Sequence, residues 1–195
     1  MNYPLSLSFK LVALAPQIFV RDSSGNEVCY VKQKWLKLRE AVTVFTSSAQ
    51  DTVLCDIKAN KIIDWSATYN FIDANGNEFG AVRRKGMRSL FKAHYQVVRG
   101  EEVHFEIHEE NGWIKVLDSV FDAIPVIGSF TGYFFNPSYI ATRPGGGSPA
   151  MRVKKQPAFW EGKFEIEKPG DLGDQEELAL LMSFMMMLLL ERRRG

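Results

Sequence analysis

A run of basic residues with no acidic neighbour is the strongest chemical signal in this sequence. Between Phe79 and Gly100 there are six basic side chains and no carboxylate. The basic residues of this run are Arg83, Arg84, Lys85, Arg88, Lys92 and Arg99. Arginine offers paired hydrogen-bond donors that fit a phosphate, and lysine adds a compact charge. The run therefore predicts a site for phosphate or lipid headgroups, and the ligand-binding residues that we expect are Arg83, Arg84, Lys85 and Arg88.

The same charges have a second interpretation, which is a solvated surface whose charges are paired internally. The ten residues after Gly100 contain five acidic side chains. Pairing of Ser89–Val98 with Glu102–His108 in a hairpin would neutralise both segments in part. On that interpretation, Lys92 and Arg99 are the first residues expected to pair with acids.

Two shorter basic groups occur elsewhere in the chain. They are Lys32, Lys34, Lys37 and Arg39 in one group, and Arg152, Lys154 and Lys155 in the other. The sequence alone leaves open whether either group joins the first run in space. Basic residues spaced in this way are typical of strand positions that face solvent, which is the interpretation we prefer for both.

One strand carries residue types that bind metals, but its geometry argues against a site. His104, Glu106 and His108 alternate onto one strand face, and two histidines with a carboxylate are a known ligand set. The first and third would lie about 13 Å apart, which is too far for one ion. The chain has no nucleophile motif and no phosphate-binding or dinucleotide-binding glycine loop. We therefore expect no catalysis, no metal and no cofactor.

The elements that position these residues end in a wholly apolar segment. Leu178–Leu190 is apolar apart from Ser183, and as a helix it is about 20 Å long. A bilayer core is about 30 Å thick, so we expect burial in protein rather than in lipid. Asp174 is the predicted N-cap, with Glu177 as its capping-box partner. A short tail anchor flanked by Arg192–Arg194 is the competing interpretation.

Short strands separated by turns account for most of the remaining chain. The predicted strands are Gln17–Arg21, Val28–Lys32, Ala41–Phe45, Thr52–Lys58, Lys61–Ile72, Glu78–Arg84, Ser89–Val98, Glu102–His108, Tyr139–Thr142, Met151–Lys155 and Lys163–Glu167. Asn75-Gly76 predicts a tight hairpin turn, and Trp113–Ile124 has the spacing of a short amphipathic helix. We predict a mainly β fold of one domain, residues 1–195, in which a closed antiparallel barrel encloses helix 174–192.

Composition excludes several classes of protein. With 46% hydrophobic and 24% charged residues, the chain is globular rather than disordered. A net charge of +1 gives no general affinity for nucleic acid. Cys29 and Cys55 are too few for a disulfide framework and are expected to be buried thiols in a reducing compartment. No signal peptide is evident, so we expect a cytoplasmic protein that is peripheral to the membrane.

Several short motifs occur in a fixed order and end with the apolar helix. They are Val20-Arg21-Asp22 with Gly25, Val31-Lys32-Gln33-Lys34, Ile57-Lys58, Asp73 with Gly76, and Gly80-Ala81-Val82-Arg83-Arg84. In this order they resemble the tubby-like C-terminal domains, specifically the LURF-one-related branch that groups with phospholipid scramblases. The resemblance covers nearly the whole chain. It implies a twelve-stranded barrel around a central hydrophobic helix.

The resemblance also implies a class of ligand. Tubby proteins bind phosphatidylinositol bisphosphate through basic residues, notably a Gly-Lys-Leu-Arg stretch on a strand. The matching stretch is Gly80-Ala81-Val82-Arg83, in which Arg83 keeps the arginine and Ala81 replaces the lysine. The cysteine cluster, acidic calcium-binding segment and proline-rich arm of scramblases are not visible in this sequence.

The expected function is a non-catalytic binding module for anionic phospholipid or phosphoinositide headgroups at the membrane surface. Its expected partner is an anionic lipid surface, and no nucleic acid is expected. The alternative is a structural or protein-interaction domain with a protein partner and no lipid ligand. Scramblase-like lipid transport is the interpretation we favour least.

Overall fold

Alternation of apolar and polar residues produces the strands of this fold. The computed structural model describes residues 1–10, 17–32, 41–60, 68–84, 94–110, 137–157 and 162–192. Within these residues the strands are β1 (Leu5–Lys10), β2 (Gln17–Arg21), β3 (Glu27–Lys32), β4 (Ala41–Phe45), β5 (Val53–Ala59), β6 (Thr68–Asp73), β7 (Glu78–Arg84), β8 (His94–Arg99), β9 (Glu102–Glu109), β10 (Ser138–Thr142), β11 (Met151–Gln156) and β12 (Gly162–Glu167). In β4, for example, Val42 and Val44 are buried and their neighbours are half-buried, as expected for a strand with one inner face.

The strands form a closed antiparallel barrel. Each strand pairs with the next one along the chain, and β1 closes the sheet by pairing with β12. In that closing pair Leu5 lies opposite Ile166, and Phe9 lies opposite Gly162. Among the described strands, closure gives each strand a partner on both sides. The prediction of a closed antiparallel barrel is confirmed.

Two of the hairpins turn in the same way because they share a short motif. Asp73 Oδ1 accepts hydrogen bonds from the backbone N–H groups of Asn75 and Asn77, at 2.9 and 2.8 Å. Gly76 then adopts a positive φ of 86°, which a residue with a side chain rarely does. Asp22 makes the equivalent bonds to Ser24 and Asn26 in the β2–β3 turn. The predicted hairpin turn is confirmed, and the β2–β3 turn has the same hydrogen-bond pattern because both segments contain Asp followed three and four residues later by Gly and Asn.

The apolar helix α1 (Asp174–Arg192) lies inside the barrel, as predicted. Its fully buried side chains are Leu180, Leu181, Met182, Ser183, Phe184, Met185, Met186 and Met187. The hydroxyl of Ser183 donates to the carbonyl oxygen of Ala179 at 2.7 Å, so this polar group is satisfied within the helix. Among the described residues, no helix has both the length and the hydropathy that crossing a bilayer requires.

The start of α1 corrects the predicted cap by one residue. The carbonyl of Gly173 accepts the first helical hydrogen bond, from the N–H of Glu177 at 2.9 Å. Gly173 is therefore the N-cap, and Glu176 rather than Glu177 reaches back to the cap N–H, at 3.4 Å. Glu177 is buried instead, and it accepts a hydrogen bond from Lys168 at 2.7 Å. The capping prediction was wrong by one residue, and Glu177 pairs with Lys168, a contact outside the helix that the sequence does not show.

Several predicted elements lie outside the described residues. These are the helix Trp113–Ile124, residues 61–67 of the strand Lys61–Ile72, and residues 89–93 of the strand Ser89–Val98.

The direction of α1 distinguishes the two ends of the barrel. We call the end where α1 begins, beside Arg143, the entry end, and the end where α1 finishes, beside Tyr95, the exit end. Because neighbouring strands are antiparallel, odd-numbered strands finish and even-numbered strands begin at the exit end.

Candidate functional site

Arg83 lies on the outer wall of the barrel, where its side chain already forms a hydrogen bond with a neighbouring strand. Its Nε–H group donates to Gln96 Oε1 at 3.1 Å, and Gln96 Nε2 donates to Glu106 Oε1 at 3.2 Å. The three residues stand opposite one another on β7, β8 and β9. The chain of hydrogen bonds therefore links the charge of Arg83 to a carboxylate two strands away.

Charge pairing on the β8–β9 hairpin does not follow the expected order. Arg99 lies opposite Glu102 in the register, and the sequence predicted that it would be paired before Arg83. Within the described part of the chain, no carboxylate forms an ion pair with Arg99. Glu102 instead lies 3.8 Å from His104 Nε2. The pairing of Arg99 expected from the paired-surface interpretation is therefore not found among the described residues.

Arg84 belongs to the inner side of the barrel rather than to the patch on its outer wall. It follows the fully buried Val82 by two positions on β7, so the two side chains share a strand face. Arg84 lies near Tyr95, whose hydroxyl donates to Glu191 Oε1 at 2.6 Å. Arg83 and Arg84 therefore face opposite sides of the wall, and Arg84 lies at the rim of the exit end.

Two further titratable groups complete this inner rim. Glu109 and Tyr139 stand opposite each other on β9 and β10, and both are buried. Burial, and then the nearby charge of Glu109, raises the pKa of Tyr139 to about 12. Burial and the hydrogen bond to Glu191 raise the pKa of Tyr95 well above its ordinary value. Both tyrosines therefore stay neutral at physiological pH, and the Tyr95 hydroxyl serves as a hydrogen-bond donor to Glu191.

Three basic groups of the sequence follow chain segments that finish at the exit end. β3 ends at Lys32, β7 ends at Arg84, and α1 ends at Arg192. The basic residues that follow these ends in sequence are Lys34, Lys37 and Arg39, then Lys85, Arg88 and Lys92, and last Arg193 and Arg194. All of them, including the predicted ligands Lys85 and Arg88, lie outside the described residues. The phosphate site on Arg83, Arg84, Lys85 and Arg88 stays a prediction.

One member of the remaining basic group, Arg152, forms ion pairs that connect parts of the barrel wall. Arg152 on β11 binds both oxygens of Glu110, at 2.7 and 3.1 Å, and one oxygen of Glu167 at 3.2 Å. Burial raises the pKa of Glu110, but hydrogen bonds from Arg152 and Ser138 outweigh this effect and lower it overall. This arginine joins three neighbouring parts of the barrel wall and is an ion-paired structural residue.

A cleft that no sequence pattern indicates lies at the entry end. The cleft has a volume of 370 Å³ and lies between the first turn of α1 and strands β7 to β9. Beside it, both guanidinium NH groups of Arg143 donate to the carboxylate of Glu176, at 2.6 and 3.1 Å. Arg143 also stacks over the Phe105 ring, 4.3 Å from its centroid. Arg143 and Glu176 are 33 residues apart, so no local pattern could have revealed this pair.

The histidines and cysteines show no sign of shared chemistry. His94 lies opposite His108, and its Nε2 atom is 3.8 Å from Glu106 Oε2. No group of three or more His, Cys, Asp or Glu in the described residues is arranged to hold a metal ion. Cys29 and Cys55 are buried free thiols, as predicted, and Cys55 Sγ lies 3.6 Å from the sulfur of Met182.

No protein-family model, curated protein or solved structure matches this chain. The class of protein is the one that the fold defines, which is a closed antiparallel β-barrel filled by a buried apolar C-terminal helix.

Proposed function

We propose that this protein is a non-catalytic module that binds anionic phospholipid headgroups, including phosphoinositides, through the exit end of its barrel. The observation that carries the proposal is the strand order. In this barrel β3, β7 and α1 all finish at one end, and each is followed in sequence by a basic group. Each basic residue near an anionic leaflet contributes about 1 kcal/mol to binding. Several such residues at one end would give useful affinity.

The proposal gives the basic residues different roles. Lys85 and Arg88 follow β7 directly and would contact phosphate. Arg84 would act from the inner rim, while Arg83, tied to Gln96 and Glu106, would support the wall and add charge at longer range. The proposal includes kinship with the tubby-like, LURF-one-related domains. A twelve-stranded barrel around a hydrophobic helix, as the resemblance implies, supports that kinship.

Sedimentation with liposomes tests the proposal. The vesicles would be phosphatidylcholine alone, or mixed with phosphatidylserine or phosphatidylinositol bisphosphate at equal total charge, at two salt concentrations. The test variant is Lys85→Gln/Arg88→Gln. The control is Arg21→Gln/Arg99→Gln, which removes the same charge from strand ends at the entry end. We expect the test variant to weaken binding about 30-fold and the control to leave it nearly unchanged.

The alternative function predicts different results. A protein-interaction domain whose basic surface is only solvated would not bind any anionic vesicle. Equal loss of binding in the test and control variants would mean that net charge alone attracts the protein, and would reject a site at the exit end. Stronger binding to phosphatidylinositol bisphosphate than to phosphatidylserine at equal charge would identify headgroup recognition.

A further inference from the structure

The two ends of the barrel differ in the connections that join neighbouring elements. The structure describes the connections at the entry end, which are short and polar. They are residues 22–26, 46–52, 74–77, 100–101, 143–150 and 168–173. None of them contains an aromatic residue, and Leu172, a large aliphatic residue among them, is buried. The entry end is therefore a surface of polar turns.

The connections at the exit end have a different composition. Each odd-numbered strand finishes at this end and the next strand begins there. The six connections at this end are residues 11–16, 33–40, 60–67, 85–93, 110–137 and 157–161. They contain all four tryptophans of the chain, which are Trp35, Trp65, Trp113 and Trp160. Apart from residues 60, 110, 137 and 157, these connections lie outside the described residues, so their place in the fold follows from the strand order alone.

The described core is filled without the aromatic residues of these connections. The inward side chains of the strands and of α1 form one apolar cluster. Helix α1 continues this cluster as far as Leu189, which is 2% exposed. The polar residue Glu191 follows, and it accepts a hydrogen bond from Tyr95 at the inner rim, beside Arg84. The exit-end connections thus carry aromatic residues beyond those that the described core uses.

Two of the exit-end connections combine large apolar side chains with basic ones. Residues 33–40 contain Trp35, Leu36 and Leu38 among Lys34, Lys37 and Arg39, and residues 85–93 contain Met87, Leu90 and Phe91 among Lys85, Arg88 and Lys92. Tryptophan is enriched at the interface of a bilayer, where its ring is apolar and its N–H group stays hydrated. Basic residues beside it are attracted to anionic headgroups. This composition is typical of segments that lie in a membrane interface.

We infer that the exit end inserts large apolar side chains of residues 33–40 and 85–93 into the interface of an anionic bilayer. This inference rests on the proposed function and adds an apolar contribution to the binding of headgroups by charge. The partner is then an intact membrane surface rather than a free headgroup. Binding to vesicles should persist in part at about 1 M salt, where charges are screened beyond about 3 Å.

Tryptophan fluorescence tests the insertion in the unaltered protein, because every tryptophan belongs to an exit-end connection. The vesicles contain phosphatidylserine and a phosphatidylcholine that is brominated either close to the headgroup or deep in the acyl chains. We expect part of the emission to shift to the blue and to be quenched more by the shallow bromines than by the deep ones. Trp35→Phe, which keeps an apolar ring, should remove the quenched part.

A tryptophan at the opposite end of the barrel is the control for position. Ser24→Trp adds one to the exposed β2–β3 turn at the entry end, and bromines at either depth should leave its added emission unquenched. Trp35→Gln should weaken vesicle binding about 10-fold at high salt. The same change in a connection without a basic residue, Trp160→Gln, should leave binding nearly unchanged.

The outcomes separate this inference from the proposed function. Sedimentation with anionic vesicles but no quenching at either depth would overturn the insertion and leave binding by charge standing. Absence of sedimentation would reject both. Quenching that persists in Trp35→Phe, quenching of the tryptophan added at Ser24, or equal losses of binding in Trp35→Gln and Trp160→Gln would each overturn the insertion of residues 33–40.

Discussion

The closest approach between helix and wall offers a direct test of how α1 sits in the barrel. Gly80 on β7 faces the helix, and a Cβ atom placed there would lie 3.3 Å from Ala179 Cβ and 3.7 Å from the Phe71 ring. The first separation is shorter than an ordinary van der Waals contact, and the second is an ordinary contact. We expect Gly80→Ala to force α1 and β7 apart, and we expect Ala179→Gly to restore the missing space.

The change in the free energy of unfolding that Gly80→Ala causes is the sum of two opposing contributions. At a position without positive φ, Gly→Ala gains about 0.4–1 kcal/mol by restricting the unfolded chain. Overpacking the core costs about 1–3 kcal/mol, so Gly80→Ala should be destabilising by about 1–2 kcal/mol. Ala179→Gly alone should cost about 1–2 kcal/mol in helix propensity and lost burial. The double variant should be about 2 kcal/mol more stable than the sum of the single changes predicts.

Urea unfolding of the wild type, the two single variants and the double variant measures the coupling energy between Gly80 and Ala179, provided the m-value stays constant. A control cycle pairs Gly80→Ala with Ser183→Ala, one turn further along α1, and should be additive within about 0.5 kcal/mol. Additivity in the Gly80 and Ala179 cycle would refute the packing of α1 against β7.

Three further predictions concern buried thiols, a salt bridge and the core. Burial raises the pKa of Cys55 to about 12 and that of Cys29 further, so Ellman's reagent at pH 8 should titrate no thiol in the folded protein and two in urea. The pKa of Glu176 is lowered from its ordinary 4.5 by Arg143. The stability advantage of wild type over Glu176→Gln should therefore be full at pH 6 and fall with pH below 4.5, when urea midpoints are compared. Phe184→Ala should cost about 3–5 kcal/mol in urea unfolding because the ring is fully buried.

The sequence predicted the large features of the fold because these depend on local patterns. A helix that is apolar on every side has to be enclosed, and α1 occupies residues 174–192 as expected. The motif Asp73 to Asn77 specifies its own turn through side-chain bonds to nearby N–H groups. Such signals involve residues within four positions of each other, so no knowledge of the distant chain is needed.

Features that depend on distant pairs could not be predicted. Arg143 forms an ion pair with Glu176, which lines the entry-end cleft, yet in the sequence each residue has the pattern of an ordinary surface charge. The sequence does predict that Arg83 and Arg84 lie on opposite faces of the wall, because neighbouring residues on a strand face opposite sides. Arg83 and Arg84 therefore cannot lie on one face of β7, although both belong to the basic run. What Lys85 and Arg88 contact stays a prediction.

The packing of α1 bears on how this protein would meet a membrane. Seven large apolar side chains of α1 are fully buried against the barrel, from Leu180 to Met187. Burial of one such side chain is worth about 1.5–3 kcal/mol. If α1 moved into lipid, the wall residues that cover these seven side chains would become exposed, at a cost of about 10–20 kcal/mol. A domain is stable by only about 5–15 kcal/mol, so the barrel would unfold. Lipid transport by a helix that leaves the barrel is therefore disfavoured, and the bilayer contact proposed above would have to be made with α1 still inside the barrel.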